Sequence, residues 1–241
     1  MISYVIGDIH GGLLGLKQVL ERAPIQKEDR VIFLGDYVDG WSDNLKTIDY
    51  LISISTKYNC IFLRGNHDDL LLKYLTKEDD NPMWLAHGGA ATKANYKNAS
   101  DKTVEKHINF LNSLSFYFID ESNNLFVHAG FTNIKGPQFE YYKEMVYWDR
   151  SLWELAQCID PKLSPENVNY PNRLKLYKEI FIGHTPIRKD GLSDPKQSAN
   201  VWNMDTGAAF KGTVTIMNVN TKEFWQSDPL WKLYPNERGR N

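Results

Sequence analysis

Six short apolar runs along this chain are each followed closely by an aspartate, a histidine or an asparagine. The runs and their endings are "SYVIGDIH", "VIFLGDYVD", "CIFLRGNHDD", "NLFVHAG", "EIFIGHTP" and "VWNMDTGAA". Runs of this length that are rich in Ile, Val and Phe predict buried strands. Because glycine recurs where these runs end, the backbone can turn there. The chain therefore has to fold around several buried strands with polar ends.

The segments between the first three runs have helical spacing. Leucines recur on one face after Gly11–Gly12, apolar residues do so again after Ser42, and "DDLLLKYLTK" follows the third run. Ser42 and Ser100 are each positioned to cap a helix. Alternating strands and helices favour a parallel sheet with right-handed crossovers. The fold class predicted from this pattern is α/β.

Composition limits the class of protein. The chain has 241 residues, 42% hydrophobic and 24% charged, with a net charge of −2. These values predict a single domain over residues 1–241 that binds neither a nucleic-acid polymer nor a membrane surface. Residues 131–178 are rich in aromatics, Pro and Asn, which predicts loops or short helices over a site. A hairpin is expected around Asn218–Asn220, and residues 235–241 are expected to be a frayed tail.

The two cysteines and the first residues bear on the compartment. Cys60 and Cys158 are far apart in apolar contexts, which predicts buried free thiols and not a disulfide framework. The opening "MISYVIGD" predicts a first strand in place of a secretory leader. We therefore expect a cytoplasmic protein.

The polar residues at the strand ends predict a common ligand site. In open α/β sheets, ligands bind beyond the carboxyl ends of the strands. A single Asp or His at such an end is most often a turn residue or a hydrogen-bonded histidine. Five separate strand ends that all present residues able to bind a metal are better explained by one site.

The residue types suit two divalent cations held side by side. Mixed carboxylate, imidazole and amide donors fit Mn, Fe or Zn better than Mg or Ca, and manganese is our first expectation. Two such cations can polarise a phosphoryl oxygen and activate a water for direct in-line attack. One cation would be bound by Asp8, His10 and Asp36, and the other by Asp36, Asn66, His128 and His184, with Asp36 bridging.

In this order, the motifs "GDIHG", "GDYVDG", "RGNHD", "HAG" and "GHTP" closely resemble those of the calcineurin-like metallophosphoesterases. More narrowly, they are similar to the phosphoprotein phosphatase (serine/threonine protein phosphatase) family with its bacterial and phage branch. The motifs extend over roughly residues 4–207. The resemblance implies a layered α/β/β/α fold, with two mixed β-sheets sandwiched between helices, and a two-metal centre with the ligands given above.

The resemblance also implies two catalytic residues. His67 would be the general acid for the leaving oxygen, and Asp39 would orient and charge its imidazole. The residue types agree with these roles, because a paired carboxylate favours the imidazolium form that can donate a proton. Asn66 and His67 are adjacent, so in a turn one side chain can bind a metal while the other faces the substrate.

The chain departs from the family pattern at Gly40, where the protein phosphatases have an arginine that binds the substrate phosphate. Loss of a bidentate guanidinium contact should weaken binding of a phosphate monoester. Two other arginines match the family as substrate-binding residues, Arg64 in "FLRGNH" and Arg150 in "VYWDR". For Arg150, a surface pair with Asp149 or Glu154 is an equal alternative.

Four further features differ from the family pattern or are interpreted as structural. Asp68 replaces a glutamate, and His87 replaces the asparagine of an "NGG" turn and is interpreted as a turn residue near the site. Asp205 resembles a structural turn residue. The aromatic cluster at residues 141–148 is interpreted as packing, with stacking on a nucleobase or a phosphotyrosine as the alternative.

The expected activity is hydrolysis of phosphate monoesters, with a phosphorylated protein or peptide as the leading substrate because of the resemblance. The first alternative is a nucleotide phosphoesterase similar to the symmetrical diadenosine tetraphosphate hydrolases, which share these motifs. The second is a metal-binding regulatory protein that has lost most of its turnover together with the arginine at position 40.

Overall fold

The computed structural model describes residues 1–77 and 79–240. The strands are β1 Ser3–Ile6, β2 Arg30–Phe33, β3 Asn59–Phe62, β4 Tyr117–Ile119, β5 Leu125–Val127, β6 Ile180–Ile182, β7 Lys196–Ser198, β8 Val201–Asn203, β9 Thr215–Asn218 and β10 Phe224–Gln226. The α-helices are α1 Leu13–Arg22, α2 Asn44–Ile54, α3 Asn66–Lys77, α4 Pro82–Trp84, α5 Ala90–Tyr96, α6 Asp101–Ser113, α7 Ser151–Cys158, α8 Asn172–Lys175 and α9 Leu230–Leu233. Every helix among the described residues is too short or too polar to cross a membrane.

The first sheet has the strand order β10-β9-β1-β2-β3. Its centre is parallel, with Val5 opposite Ile32 and Ile32 opposite Ile61. Helices α1 and α2 connect these three strands, as the alternating pattern predicts. Strands β9 and β10 form the expected hairpin, and β9 also pairs antiparallel to β1. The carboxyl ends of β1, β2 and β3 therefore lie at one edge of this sheet.

The second sheet has the strand order β4-β5-β6-β8-β7. Strands β5, β6 and β8 are parallel, and β4 and β7 flank them antiparallel. Residues 131–178 cross between β5 and β6 and contain short helices, as the sequence predicts. The strand ends after β5 and β6 therefore lie at the same edge of the second sheet.

The two sheets pack face to face, and helices cover their outer faces. Alternation along β1 divides its side chains between two cores, with Tyr4 and Ile6 facing the helices and Val5 facing the second sheet. Val5 shares the intersheet core with Phe126 and Phe181, whose rings stack with centroids 5.0 Å apart. The outer face of the second sheet is covered by α7. The layered α/β/β/α arrangement implied by the resemblance is confirmed.

Two local expectations are wrong. Cys158 is exposed at the end of α7, although its apolar neighbours predicted burial, whereas Cys60 is partly buried. Residues 235–240 are not frayed, because Glu237 accepts hydrogen bonds from Ser42 at 2.6 and 2.8 Å and the backbone N–H of Arg240 donates to Ala209 at 2.8 Å. Asn241, the last residue of the expected tail, lies outside the described residues. Charged and small side chains resemble a frayed end locally, and only tertiary contacts hold the segment in place.

Candidate active site

The loops that follow five strands meet where the edges of the two sheets come together. The first sheet contributes Asp8 and His10 after β1, Asp36 after β2, and Asn66 at the start of α3, while the second contributes His128 after β5 and His184 after β6. His10, Asp36, Asp39 and His184 all have positive φ, between 51° and 69°. This conformation is unfavourable for residues with a Cβ, and its concentration in one place is typical of a functional site.

One group of donors surrounds Asn66. The Asn66 Oδ1 lies 2.9 Å from His184 Nδ1 and 3.2 Å from His128 Nε2, and His128 Nε2 lies 3.4 Å from Asp36 Oδ1. Ligand atoms of Asp36, His128 and His184 lie within 4.8 Å of one another, and all three residues are buried. These distances allow one small cation to contact all the donors.

A second group shares Asp36. His10 Nε2 lies 3.5 Å from Asp36 Oδ2 and 3.6 Å from Asp8 Oδ2. Ligand atoms of His10, Asp36 and His67 also lie within 4.8 Å of one another. Asp36 belongs to both groups, so its carboxylate is positioned between two candidate cation positions.

Hydrogen bonds to main-chain carbonyls orient two of the imidazoles. The Nδ1–H of His10 donates to the carbonyl oxygens of Val38 and Asp39 at 3.0 and 2.8 Å. The Nδ1–H of His128 donates to the carbonyl oxygen of Leu34 at 2.9 Å. In both residues Nε2 is left facing the carboxylates, which is the arrangement typical of metal-binding histidines.

Glycines allow the carboxylates to approach the neighbouring backbone. A Cβ added at Gly65 would lie 2.1 Å from Asp36 Oδ1, and one added at Gly183 would lie 2.1 Å from Asp8 Oδ1. Any side chain at these two positions would displace a candidate ligand. The glycines of "RGNHD" and "GHTP" are therefore required for the close approach of the two sheet edges.

The charges in the cluster fit a bound transition metal. Burial lowers the pKa of His128, but the charges of Asp36 and Asp8 outweigh burial and raise it to about 9. Burial and the neighbouring His128 hold the pKa of His184 well below its ordinary value. A divalent cation would replace the proton on His128 and compensate the buried carboxylates, so this donor set fits the metals expected from the sequence.

Asp39 and His67 form a buried pair at the edge of the cluster. The Nδ1 of His67 lies 2.7 Å from Asp39 Oδ2. The other contacts of the Asp39 carboxylate are the indole N–H of Trp84 and the hydroxyl of Thr92, each donating at 2.5 Å. With its Nδ1 bonded to Asp39, His67 has Nε2 available to exchange a proton with a ligand.

A model of the calcineurin-like phosphoesterases matches residues 2–210. The chain belongs to this family. It is therefore a hydrolase that acts on phosphate esters, and the family implies divalent metal ions for the buried cluster.

Named relatives of this phosphoesterase include two bis(5'-nucleosyl)-tetraphosphatases. It is 25% identical to the asymmetrical bis(5'-nucleosyl)-tetraphosphatase PrpE of Anoxybacillus flavithermus, with 90% of each chain covered. It is 28% identical to a symmetrical bis(5'-nucleosyl)-tetraphosphatase of Pseudomonas entomophila, with 100% of this chain and 78% of the relative covered.

Solved structures share the fold at low sequence identity. A metallophosphoesterase from Sphaerobacter thermophilus superposes with a TM-score of 0.56 at 17% identity, over 98% of this chain and 95% of that one. A protein serine/threonine phosphatase from Saccharomyces cerevisiae gives a TM-score of 0.55 at 14% identity, over 94% and 79% of the two chains. These two likenesses concern the fold alone.

A cavity opens beside the donor cluster of this phosphoesterase. Its lining combines metal-ligand candidates with aromatic and cationic side chains. The residues that line it are Asp36, Asn66, His67, Leu70, Met83, Trp84, His87, Trp148, Arg150, His184, Pro186, Lys189, Phe210 and Arg240.

The two arginines expected to bind phosphate lie in different places. Arg150 lines the cavity, and its Nε donates to His184 Nε2 at 3.2 Å, while Asp149 instead accepts bonds from Ser151 and Leu152. Arg64 differs from the expectation, because its guanidinium donates to the carbonyl oxygen of Leu111 at 2.8 Å and lies outside the cavity lining. A motif position defines where the backbone of an arginine lies, but its long side chain follows the nearest acceptors.

The remaining polar positions have structural contacts. The Asp68 carboxylate accepts backbone N–H bonds from Asp36, Tyr37 and Gly65 at 2.8 to 2.9 Å, so it joins the loops after β2 and β3. Burial, together with Asp36, raises the pKa of Asp68 to about 7. Asp205 is buried and accepts from the backbone of Gly207 at 3.0 Å, which agrees with a turn role.

The histidine and aromatic positions divide between turn, core and cavity. His87 is exposed, and its Nδ1–H donates to the carbonyl oxygen of Met83 at 2.7 Å within the turn that lines the cavity. Tyr147 is buried in the core of the second sheet, whereas Trp148 lines the cavity and Tyr141 is 88% exposed. Packing was the correct interpretation for Tyr147, and Trp148 also packs against two core clusters besides lining the cavity.

Several residues near the site were missed by sequence reasoning. Trp84 and Thr92 bond to Asp39 from α4 and α5, and Lys189, Phe210 and Arg240 line the cavity. Trp84 and Thr92 are the first and last residues of the segment "WLAHGGAAT" around the turn at His87, but that pattern does not indicate their bonds to Asp39. Lys189 and Phe210 lie close in sequence to "GHTP" and "MDTGAA", whereas no local signal marks Arg240.

Proposed function

We propose that this protein is a dinuclear-metal phosphoesterase that hydrolyses dinucleoside tetraphosphates. One divalent cation would be bound by Asp8, His10 and Asp36 and a second by Asp36, Asn66, His128 and His184, with manganese as the first candidate metal. When bound, the two cations would supply Lewis-acid polarisation of a phosphoryl oxygen and a water of lowered pKa.

The observation that most supports a nucleotide substrate is the composition of the cavity walls. Trp148 and Phe210 offer aromatic surfaces beside the donor cluster, and Arg150, Lys189 and Arg240 offer cations. Aromatic rings stack on nucleobases, whereas guanidinium and ammonium groups bind phosphates. A tetraphosphate chain presents a row of anionic groups to these cations, while a phosphopeptide presents one phosphate.

The relatives point to the same substrate class. The two named above are bis(5'-nucleosyl)-tetraphosphatases, and each is covered over more than three quarters of its length. The protein serine/threonine phosphatase likeness has 14% identity and supports the fold alone. We therefore prefer the nucleotide substrate over the phosphoprotein first expected from the motifs.

In this proposal His67 protonates the leaving phosphate oxygen. Its Nδ1–H is directed to Asp39, so the imidazole presents Nε2 to the substrate and the carboxylate stabilises the imidazolium. Trp84 and Thr92 donate to both oxygens of Asp39 and hold that carboxylate in place. The burial of the pair excludes water that would weaken the interaction.

The test compares two substrates on the manganese-loaded protein. We expect kcat/KM for diadenosine tetraphosphate to exceed that for a phosphoserine peptide by about tenfold or more, because only the dinucleotide can use both the aromatic walls and several cations. A chelator should abolish turnover, and added manganese should restore it. A preference for the phosphopeptide would contradict the proposal.

Product analysis then assigns the bond that is cleaved. Two nucleoside diphosphates indicate symmetrical cleavage, and a triphosphate with a monophosphate indicates asymmetrical cleavage. Absence of turnover on both substrates with Mn, Fe and Zn, in a protein that binds these metals, would instead support the regulatory interpretation.

A further inference from the structure

Residues 234–240 form a segment that is anchored beside the active site. The ring of Tyr234 stacks on Trp41 with centroids 5.3 Å apart, and Glu237 accepts two hydrogen bonds from Ser42. The backbone N–H of Arg240 donates to the carbonyl oxygen of Ala209 at 2.8 Å. Contacts at three points along the segment therefore hold Arg240 next to the loop between β8 and β9.

The side chain of Arg240 lines the active-site cavity, and its guanidinium has no ion-pair partner among the described residues. It lines the cavity together with Asp36, Asn66 and His67. Its Nε is buried, and no residue in 1–77 or 79–239 accepts a hydrogen bond from that atom or forms an ion pair with the guanidinium. The guanidinium that lines the cavity is therefore positioned for an anion that a ligand would bring.

The contacts of Arg240 differ from those of the other two arginines considered for phosphate binding. The Nε of Arg150 already donates to His184, and Arg64 donates to Leu111. The guanidinium carbon of Arg240 lies 5.5 Å from the centre of the Phe210 ring, which orients the group without using its N–H donors. Arg240 is therefore the cavity arginine whose Nε has no acceptor among the described residues.

The backbone at Gly40 explains why the cation comes from a distant segment. A Cβ at Gly40 would lie 2.8 Å from the carbonyl oxygen of His10 and 3.1 Å from its Cβ. The next residue, Trp41, is buried and packs against Tyr234 and close to Gly239. The pair Gly40–Trp41 thus excludes a side chain at one position and anchors the segment of Arg240 at the next.

We propose that Arg240 binds a phosphoryl oxygen of the substrate through charge-assisted hydrogen bonds, and that the segment 234–240 is part of the substrate-binding site. This inference rests on the proposed phosphoesterase function and adds a residue to it. The ligand class is a phosphate anion, either a terminal or an internal group of the polyphosphate chain. A planar guanidinium can bind two oxygens of such a group at once.

The test measures binding of inorganic phosphate to the metal-loaded protein by calorimetry. We expect Arg240→Ala to raise the Kd for phosphate by about tenfold or more, the range for a hydrogen bond between charged groups. Arg240→Lys should recover part of the affinity, because it keeps the charge but loses the second donor. With p-nitrophenyl phosphate, KM should rise by a similar factor, and kcat should change less.

The matched control is Arg188→Ala. This substitution also removes one positive charge. The Arg188 side chain is exposed, its Nε lies 2.7 Å from Asp190 Oδ1, and it does not line the cavity. We expect this variant to keep the wild-type Kd for phosphate. An equal Kd in wild type and Arg240→Ala, including no measurable binding in either, would overturn the proposal, and so would an equal loss in Arg188→Ala.

A second variant separates binding from loosening of the segment. Glu237→Gln weakens the contacts to Ser42 and should raise the Kd for phosphate in the wild-type background. In the Arg240→Ala background the same change should have no further effect, because the segment acts on phosphate through Arg240. Additive losses in the double variant would overturn the proposed role.

The readout is independent of the nucleotide substrate. If diadenosine tetraphosphate is not hydrolysed but Arg240→Ala still weakens phosphate binding, the proposed substrate class fails and the role of Arg240 stands. If the dinucleotide is hydrolysed with an unchanged phosphate Kd in Arg240→Ala, the substrate class stands and the role of Arg240 fails.

Discussion

At the scale of single residues, the site depends on histidines in which one of the two ring nitrogens is already hydrogen-bonded to the protein. His10 and His128 each donate Nδ1–H to main-chain carbonyls, and His67 donates to Asp39. Such bonds select one tautomer and one ring orientation, so the remaining nitrogen is directed without further loss of side-chain freedom. Asp39 is held in the same way by Trp84 and Thr92.

The role of His67 predicts a dependence on the leaving group. His67→Asn should lower kcat by roughly 10²–10⁴-fold for an ester with a poor leaving group, because the leaving oxygen then departs without a proton. The loss should be much smaller for p-nitrophenyl phosphate, whose leaving group needs no proton. Steady-state kinetics on the two esters provide the comparison, and equal losses on both would show that His67 has another role.

At the scale of single elements, the loop after β2 has no space for a larger side chain at Gly40. The loop after β2 contains Asp36 and Asp39 with positive φ, and Gly40 packs directly against His10. The sequence alone favoured the view that an arginine at position 40 would improve phosphate binding. The structure argues against it, because a side chain there meets the backbone of a candidate metal ligand.

Gly40→Ala tests this packing. We expect the variant to weaken manganese binding about tenfold, because displacement of His10 disturbs one cation position, an effect of the size seen when groups that support metal ligands are changed. Calorimetric titration of the metal measures it. Gly191→Ala is the control, since its Cβ would meet only the flexible end of Arg188 at 3.2 Å. Normal manganese affinity in Gly40→Ala would contradict the assignment of His10.

The buried imidazole of His107 in helix α6 predicts that the free energy of unfolding depends on pH. Burial lowers the pKa of His107 below its ordinary value, although Asp49 opposes the shift and Tyr96 bonds to Nδ1 at 2.7 Å. A lowered folded-state pKa means that the unfolded chain binds the proton more readily. The stability contributed by neutral His107 is therefore complete above about pH 6.5 and is lost as the pH falls.

Urea unfolding at about pH 7 and about pH 5.5 measures this effect, which has an upper limit of roughly 1.4 kcal/mol per pH unit for one proton. His107→Gln keeps a partner for Tyr96 but cannot gain the proton. Its free energy of unfolding should fall less over this range than that of the wild type. If the free energy of unfolding fell equally with pH in both proteins, the contribution of His107 would be refuted.

At the scale of the whole molecule, the candidate metal centre lies across the contact between the two sheets. Asp8, His10 and Asp36 follow strands of the first sheet, whereas His128 and His184 follow strands of the second. The intersheet core, with Phe126 stacked on Phe181, sets the distance between these two sets of donors. Packing of the core and geometry of the site are therefore linked.

Phe181→Ala tests that link. Removal of a fully buried aromatic side chain should lower the free energy of unfolding by about 3–5 kcal/mol. Manganese affinity should also fall, because the sheets can then shift relative to each other. Urea unfolding and metal titration measure the two effects. Phe139→Ala, at a side chain that is 54% exposed, should change neither.

Much of the fold and of the donor set was predictable from the sequence. Apolar runs that end in Asp, His or Asn indicate both the strands and the residues at their ends, because the chemistry is adjacent to the secondary structure that positions it. Asp36 and His128 are recognised in this way although they are 92 positions apart in the sequence. In the structure, His128 Nε2 lies 3.4 Å from Asp36 Oδ1.

Only the tertiary structure decided which other side chains reach the site. Arg64 follows its acceptor at Leu111 away from the cavity, whereas Arg240 enters it because Trp41 and Ser42 anchor its segment. A local pattern determines backbone conformation and burial, but the direction of a long side chain depends on partners that are distant in sequence. For that reason the sequence by itself determined the strands and the polar residues at their ends. The folded chain determined which cationic side chains lie around those residues.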